Sequence, residues 1–228
     1  MLGFVWTFLN PLLTMGVYTL VFSIYLRVGI PNYAVFLLSG LLPWLWFAGA
    51  ISMGATSIVD GRMYVSRSVF SPILLVLVPI CAQAVNFLLS IPLLFAIAAI
   101  FGVHIGWPIV VLPVLMGIQF LLLLGILMTL ATMNVFFRDL QQLMTTILSL
   151  LFYLAPIIYP LASVPAAFRP FVFFNPMAAL VVGYQDIFFY NRLPDPILTA
   201  YALAVALVLC VIGRSVFNRY RDAFADYA

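Results

Sequence analysis

Apolar residues in this chain collect in long uninterrupted runs, and the charged residues fall between or beside them. Six runs are legible: about Trp6 to Leu26, Ala34 to Val59, Ile73 to Val103, Trp107 to Phe137, a fifth that follows Arg138-Asp139 and ends near Tyr159, and Ile197 to Gly213. A stretch of about 20 apolar residues crosses the hydrocarbon core as a helix, so the pattern predicts six transmembrane helices. The third and fourth runs hold about 30 residues each, or about 45 Å of helix, and must tilt, kink or project beyond the lipid. Pro79 and Pro92 are expected kink sites, and Asn86 in the same run calls for a protein partner rather than a lipid one.

A further apolar segment, Phe171 to Tyr190, is broken by Asn175-Pro176 and carries Gln185-Asp186. Counting it as a seventh span would send the arginine-rich tail outside. Two short helices dipping into the outer leaflet, sheltered by protein, keep the span count even. Pro156, Pro160, Pro165, Pro170 and Pro176 fit this reading, because each lacks an amide donor and disfavours helix before it. With six spans both termini share a side. Arg62, Arg67, Arg138, Arg214, Arg219 and Arg221 occupy one set of loops, Arg27, Arg169 and Arg192 the other, so the positive-inside rule makes the first set and both termini cytoplasmic.

Composition narrows the function. The chain has 228 residues, 67% hydrophobic and 7% charged, with a mean hydropathy of +1.26. It is expected to be an all-α integral membrane protein forming one domain over residues 1–228. The first run has no basic leader and no small-residue cleavage pattern, so it is not read as a cleaved signal peptide. No Asp, Glu, Lys, Arg or His lies inside a long run, whereas ion-coupled pumps keep a titratable group at mid-membrane. The chain has no lysine, which rules out the phosphate-binding lysine of a P-loop. Transport through it is therefore passive or powered by another protein. The net charge of +3 orients spans rather than binding nucleic acid. Cys81 and Cys210 lie in apolar runs, and the six aspartates are scattered, so no disulfide, metal, cofactor or paired-carboxylate site is expected. His104, the single histidine, sits near an external turn and suits a headgroup contact better than catalysis. No enzyme class is supported.

Four groups of residues carry candidate function. In the loop Asp60 to Pro72, Arg62, Tyr64, Val65, Arg67, Val69 and Phe70 fit a short amphipathic helix, either an interfacial connector or a helix that docks on a partner. Arg138 and Asp139, in the cytoplasmic turn between the fourth and fifth runs, are placed to cap helix ends. Along the first run Pro11, Met15, Tyr18, Phe22 and Tyr25 recur at spacings of four and three, and in the fifth Thr145, Ser149, Phe152, Pro156 and Tyr159 do the same. Rings and hydroxyls on one stripe suit a sugar path, because rings stack on apolar sugar faces and hydroxyls exchange hydrogen bonds. Ordinary helix packing and interfacial aromatics produce the same pattern.

Several segments in order resemble the ABC-2 type membrane subunits of polysaccharide and polyol-phosphate exporters. They are Leu2 to Ser23 (LGFVWTFLNPLLTMGVYTLVFS), Phe36 to Phe47 (FLLSGLLPWLWF), Asn134 to Leu143 (NVFFRDLQQL), Ala155 to Pro165 (APIIYPLASVP) and Phe174 to Phe189 (FNPMAALVVGYQDIFF). Each is weak alone, but the ordered set covers essentially the whole chain.

The resemblance implies a six-helix subunit of the bacterial cytoplasmic (inner) membrane that pairs with a second copy and binds two cytoplasmic ABC ATPase subunits. ATP and Mg would be bound by those partners, and the substrate would be a lipid-linked glycan such as O-antigen, capsule or teichoic acid. It further implies that the loop holding Arg62, Tyr64, Arg67 and Phe70 is a cytoplasmic coupling helix. The first and fifth spans, with Tyr18, Phe22, Tyr25, Phe152 and Tyr159, would line the channel. Leu161 to Pro194 would be a short external re-entrant helical hairpin at the gate. Two departures stand out. Members of the family usually carry a basic amphipathic segment before the Leu-Gly-Phe start, and their coupling segment runs from a more basic stretch into Phe-Pro where this chain has Phe70-Ser71-Pro72. Export of a drug or small lipid by the same fold, or a non-transporting scaffold, are the competing expectations.

Overall fold

The structure, a computed structural model, describes residues 2–25, 29–61, 71–137, 139–221 and 224. Helix α1 (Leu2–Tyr18) continues as a π-helix over Thr19–Tyr25. There follow α2 (Tyr33–Gly54), the single turn α3 (Ser57–Asp60) and α4 (Ile73–Ile100). A 3-10 turn, Trp107–Val111, leads into α5 (Leu112–Phe136), and α6 spans Leu140–Leu154. Beyond a 3-10 turn at Leu161–Ser163 come α7 (Arg169–Val172), α8 (Pro176–Phe188) and α9 (Pro196–Tyr220). Among the described residues there are no strands.

Among the described residues four helical stretches are long and apolar enough to cross a membrane: α2, α4, Trp107–Phe136 and α9. Where the first and fifth spans are expected the structure has shorter apolar helices, Pro11–Phe22 within α1 and its continuation, and α6. Helix α6 stops at Leu154 rather than near Tyr159, because Ala155 is extended ahead of Pro156. Helix α9 runs past Gly213 to Tyr220, since arginine is a good helix former and Arg219 in the last turn complements the helix dipole. Pro79 and Pro92 both lie inside α4, which runs unbroken from Ile73 to Ile100. Asn86 finds its partner on the same helix, its Nδ2 donating to Gln83 Oε1 at 3.2 Å.

Helix α2 forms the axis of the packing. Every residue from Tyr33 to Trp44 is buried, enclosed by α1, α4, α5, α6 and α8. Helix α8 is buried from Met177 to Phe188, between α2 and α9. By contrast α4 and α9 each bury one stripe, Val76, Ile80, Phe87, Leu94 and Ala98 on α4 and Ala202, Ala206, Gly213 and Phe217 on α9. Their opposite faces expose Val78, Val85, Phe95, Leu207, Val208 and Val211. An apolar face on that scale suits lipid rather than water.

Small residues let α5 and α9 approach closely. A Cβ on Gly125 would fall on the Leu209 and Cys210 backbone, and one on Gly213 on the Gly125 carbonyl. Side-chain donors tie the helices to backbone carbonyls elsewhere. Gln119 Nε2 donates to Pro43 O at 2.9 Å, Trp46 Nε1 to Ile80 O at 3.2 Å, Tyr33 Oη to Ile158 O at 2.9 Å and Gln185 Nε2 to Pro156 O at 2.7 Å. Internal bonds of this kind matter most where no water can replace them.

The helix ends gather at two levels. One gathers Tyr33, Phe36, Ile158, Phe189 and Asn191, with the Gly106 amide donating to Asn191 Oδ1 at 2.9 Å and the Phe36 and Phe189 rings 5.4 Å apart. At the other, the rings of Phe136 and Tyr220 lie 5.5 Å apart, and Thr56 Oγ1 donates to Asp60 Oδ2 at 2.7 Å.

Candidate conduit groove

Helices α1 and α6 both pack on α2, and an open groove of about 370 Å³ runs between the three. Thr14 and Tyr18 come from α1, Leu41, Trp44, Leu45, Ala48 and Ser52 from α2, and Thr145, Leu148, Ser149, Phe152 and Tyr153 from α6. Helical spacing explains each contribution. Thr14 and Tyr18 are four apart, Trp44, Ala48 and Ser52 repeat every four, and Thr145, Leu148, Ser149 and Phe152 follow a three-and-four pattern.

Aromatic rings form a chain along this groove. Phe22 lies 6.0 Å from Tyr18, Tyr18 lies 5.8 Å from Phe152, and Phe152 lies 5.8 Å from Trp44. Phe152 also meets Tyr153 edge-on at 5.3 Å. Such tilted and edge contacts are favourable ring geometries that hold the wall in place. The hydroxyls of α6 are partly committed: Thr145 Oγ1 donates to Gln141 O at 3.2 Å and Ser149 Oγ to Thr145 O at 3.0 Å. Both oxygens remain free to accept. Among the described residues no charged side chain lines the groove.

The structure thus brings Tyr18 and Phe152, from the two separate stripes, into ring contact across one wall. Phe22 extends that wall outward toward Tyr33, at 6.2 Å. Tyr25 is 70% exposed and stands apart from the groove lining. Tyr159 turns back on its own chain, its hydroxyl shared between Tyr153 O and Leu154 O at 3.1 Å each, and so closes the C-terminal end of α6. Thr145 and Ser149 line the groove together with Phe152, whereas Pro156 is not in the lining and Pro11 is buried elsewhere. Sequence reasoning missed Thr14, Trp44, Ser52 and Tyr153. Trp44 and Ser52 are eight residues apart on α2, but that helix is apolar on all sides and its pattern offers no contrast to select a face.

Arg62, Tyr64, Arg67 and Phe70 lie outside the described residues, as does Arg138. Asp139 is exposed at the N-terminal edge of α6 and makes no side-chain cap, though its carboxylate sits favourably at that end of the helix dipole. His104 is exposed beyond α4, and no cluster of three or more His, Cys, Asp or Glu occurs among the described residues.

The Gln185-Asp186 pair has a structural explanation that sequence did not supply. The Asp186 side chain is 2% exposed and meets Arg192, which is 64% exposed, at 2.7 Å. Desolvation raises the Asp186 pKa, opposed by the hydrogen bond and charge of Arg192. Asp195 accepts the amides of Ile197 at 2.8 Å and Leu198 at 3.1 Å, capping α9. The α8–α9 connection is therefore built on one buried carboxylate and one cap.

Comparison with known proteins places this architecture. The chain matches the ABC-2 type transporter family over residues 1–189. It is 38% identical over 227 residues to O-antigen export system permease protein RfbA of Myxococcus xanthus, covering 99% of this chain and 87% of the relative. It is 30% identical over 228 residues to the protein of the same name from Klebsiella pneumoniae, with coverage of 99% and 87%. The polysialic acid transport protein KpsM of Escherichia coli is 20% identical over 225 residues, with coverage of 97% and 87%. With most of its length matched by the family and nearly all of it aligned to these relatives, the chain belongs to the ABC-2 type transporter family.

Proposed function

We propose that this chain is the membrane permease subunit of an ATP-driven exporter that carries O-antigen or a related lipid-linked cell-envelope polysaccharide across the bacterial cytoplasmic membrane. The observation that carries this reading is the 38% identity over nearly the full length to a permease named for O-antigen export. The groove supports it, because exposed ring faces and hydroxyl acceptors suit a sugar chain. Lacking any lysine, the chain has no P-loop of its own, so hydrolysis belongs to two cytoplasmic ATPase partners.

Two copies would face each other through α1 and α6, each supplying one groove wall. Leu13, Val17, Leu143 and Leu150 are exposed on these helices and would be covered in that arrangement. In this reading the chain crosses six times, with α1 and α6 as the shorter pair, both termini are cytoplasmic, and α7 and α8 form the outer hairpin. The segment Asp60 to Pro72 joins α3 to α4 on the cytoplasmic side, where it would pass ATPase closure to the spans as a rigid-body movement.

Depletion of the protein tests the proposal. Lipid-linked polymer should accumulate on the cytoplasmic side while surface polysaccharide disappears. Normal surface polysaccharide, with a drug or small lipid retained instead, would refute it.

A further inference from the structure

We infer that the groove selects a glycan whose repeating unit carries no charge. This rests on the export reading above and narrows it to a substrate class. Among the described residues the lining supplies ring faces, aliphatic surface and hydroxyls, and no cation to pair with a carboxylate or phosphate. The three helices that build it contain no ionisable Asp, Glu, Lys, Arg or His between Leu2 and Tyr25, between Tyr33 and Gly54, or between Leu140 and Leu154. The nearest charges in sequence, Arg27, Asp60, Arg138 and Asp139, lie beyond the ends of these three helices.

Symmetry sharpens the argument. A second copy facing the first through the same three helices adds their residues again and no charge within them. An acidic sugar entering between them would lose water without gaining an ion pair, and an unpaired charge in a poorly hydrated membrane path is strongly disfavoured. A neutral sugar loses little. Its hydroxyls can donate to Thr145 Oγ1 and Ser149 Oγ, whose own hydrogens are committed to helix carbonyls, and its apolar faces can stack on Tyr18, Trp44 and Phe152. Weak, repeated contacts of that kind allow a polymer to advance.

The test compares two lipid-linked polymers on the same carrier in cells that hold this permease with its ATPase. One is a neutral hexose homopolymer and the other has a uronic acid in every repeat. The neutral polymer should reach the surface at least tenfold more efficiently. Ser149→Arg and, separately, Ser52→Arg place a cation at exposed groove positions, so either variant that inserts stably should raise export of the acidic polymer several-fold, whereas Ser149→Gln should not. Equal export of both polymers by the unaltered permease overturns charge selection and leaves polysaccharide export standing. Export of neither polymer overturns both readings.

Discussion

A methyl group placed on Gly213 has no room. Its Cβ would fall on the Gly125 carbonyl oxygen, with the Gly125 carbonyl carbon 3.1 Å and Cα 3.2 Å away. All three atoms are backbone, so no rotamer change relieves the contact and α9 must move off α5 by about 1 Å. A gap of that size forfeits roughly a quarter to a half of each dispersion contact along the crossing. Overpacking of this kind costs about 1–3 kcal/mol. For a chain of this length that corresponds to roughly 2–12 °C in apparent melting temperature. Gly213→Ala, purified in detergent and heated while monodispersity is followed, should lose its folded peak in that earlier range. Gly117→Ala on α5 is the control, because its Cβ meets nothing within 4 Å. Both substitutions gain the same helix propensity, about 1 kcal/mol, so the difference between them isolates packing. If Gly213→Ala melts together with the control, the close crossing of α5 and α9 is wrong.

Other perturbations probe the conduit, the coupling and the loop. Tyr18→Ala should reduce polymer export modestly, whereas Phe152→Trp should obstruct it more, measured as surface polysaccharide; unchanged export in both would remove the groove from the path. Arg62→Ala with Tyr64→Ala should weaken copurification of the ATPase while insertion is unaffected, and single loss of Arg62 should do little because an exposed ion pair contributes about 0–1 kcal/mol. Burial raises the Asp186 pKa above its usual 3.8, so the folded state keeps a proton that the unfolded chain has lost just above that pH. Stability from this group is present below that window and falls as pH rises through it; Asp186→Asn should flatten the fall in thermal scans across mildly acidic pH. Cysteines at Ser66 and Ser215 should react only from the cytoplasm and one at Ser163 only from outside, in a background lacking Cys81 and Cys210; external labelling of Ser66 would defeat the proposed topology.

The positions of the long helices were legible because charge and proline punctuate them. Asp60-Gly61 closes α3, Arg138-Asp139 falls between α5 and α6 in sequence, and Asn175 before Pro176 starts α8, with its Oδ1 accepting the Met177 amide at 3.0 Å. The end of α9 was not legible, since Arg214 stops hydropathy but not a helix. Nor was the fifth run's true length, because Pro156 terminates α6 one residue ahead of itself while the apolar sequence continues. At the candidate site, two stripes of alternating rings and hydroxyls pointed to Tyr18 and Phe152, but the spacing could not follow α1 into its π-helical end. There the wider turn takes Tyr25 away from the groove. The Asp186 and Arg192 pair joins residues six apart across a helix end, a separation to which no helical periodicity applies.

The complete enclosure of α8 bears on how the chain is made. One wall of its shelter, α2, emerges before it in synthesis, and the other, α9, emerges after it. Until α9 is in place, a thirteen-residue helix carrying Gln185 and Asp186 has only part of its cover. It is too short to rest across the bilayer alone and too polar at one end to settle among lipid tails. Enclosure of α8 must therefore follow release of α9, and a nascent chain stopped before Pro196 would present the buried carboxylate as a ready mark of incompleteness to membrane quality control.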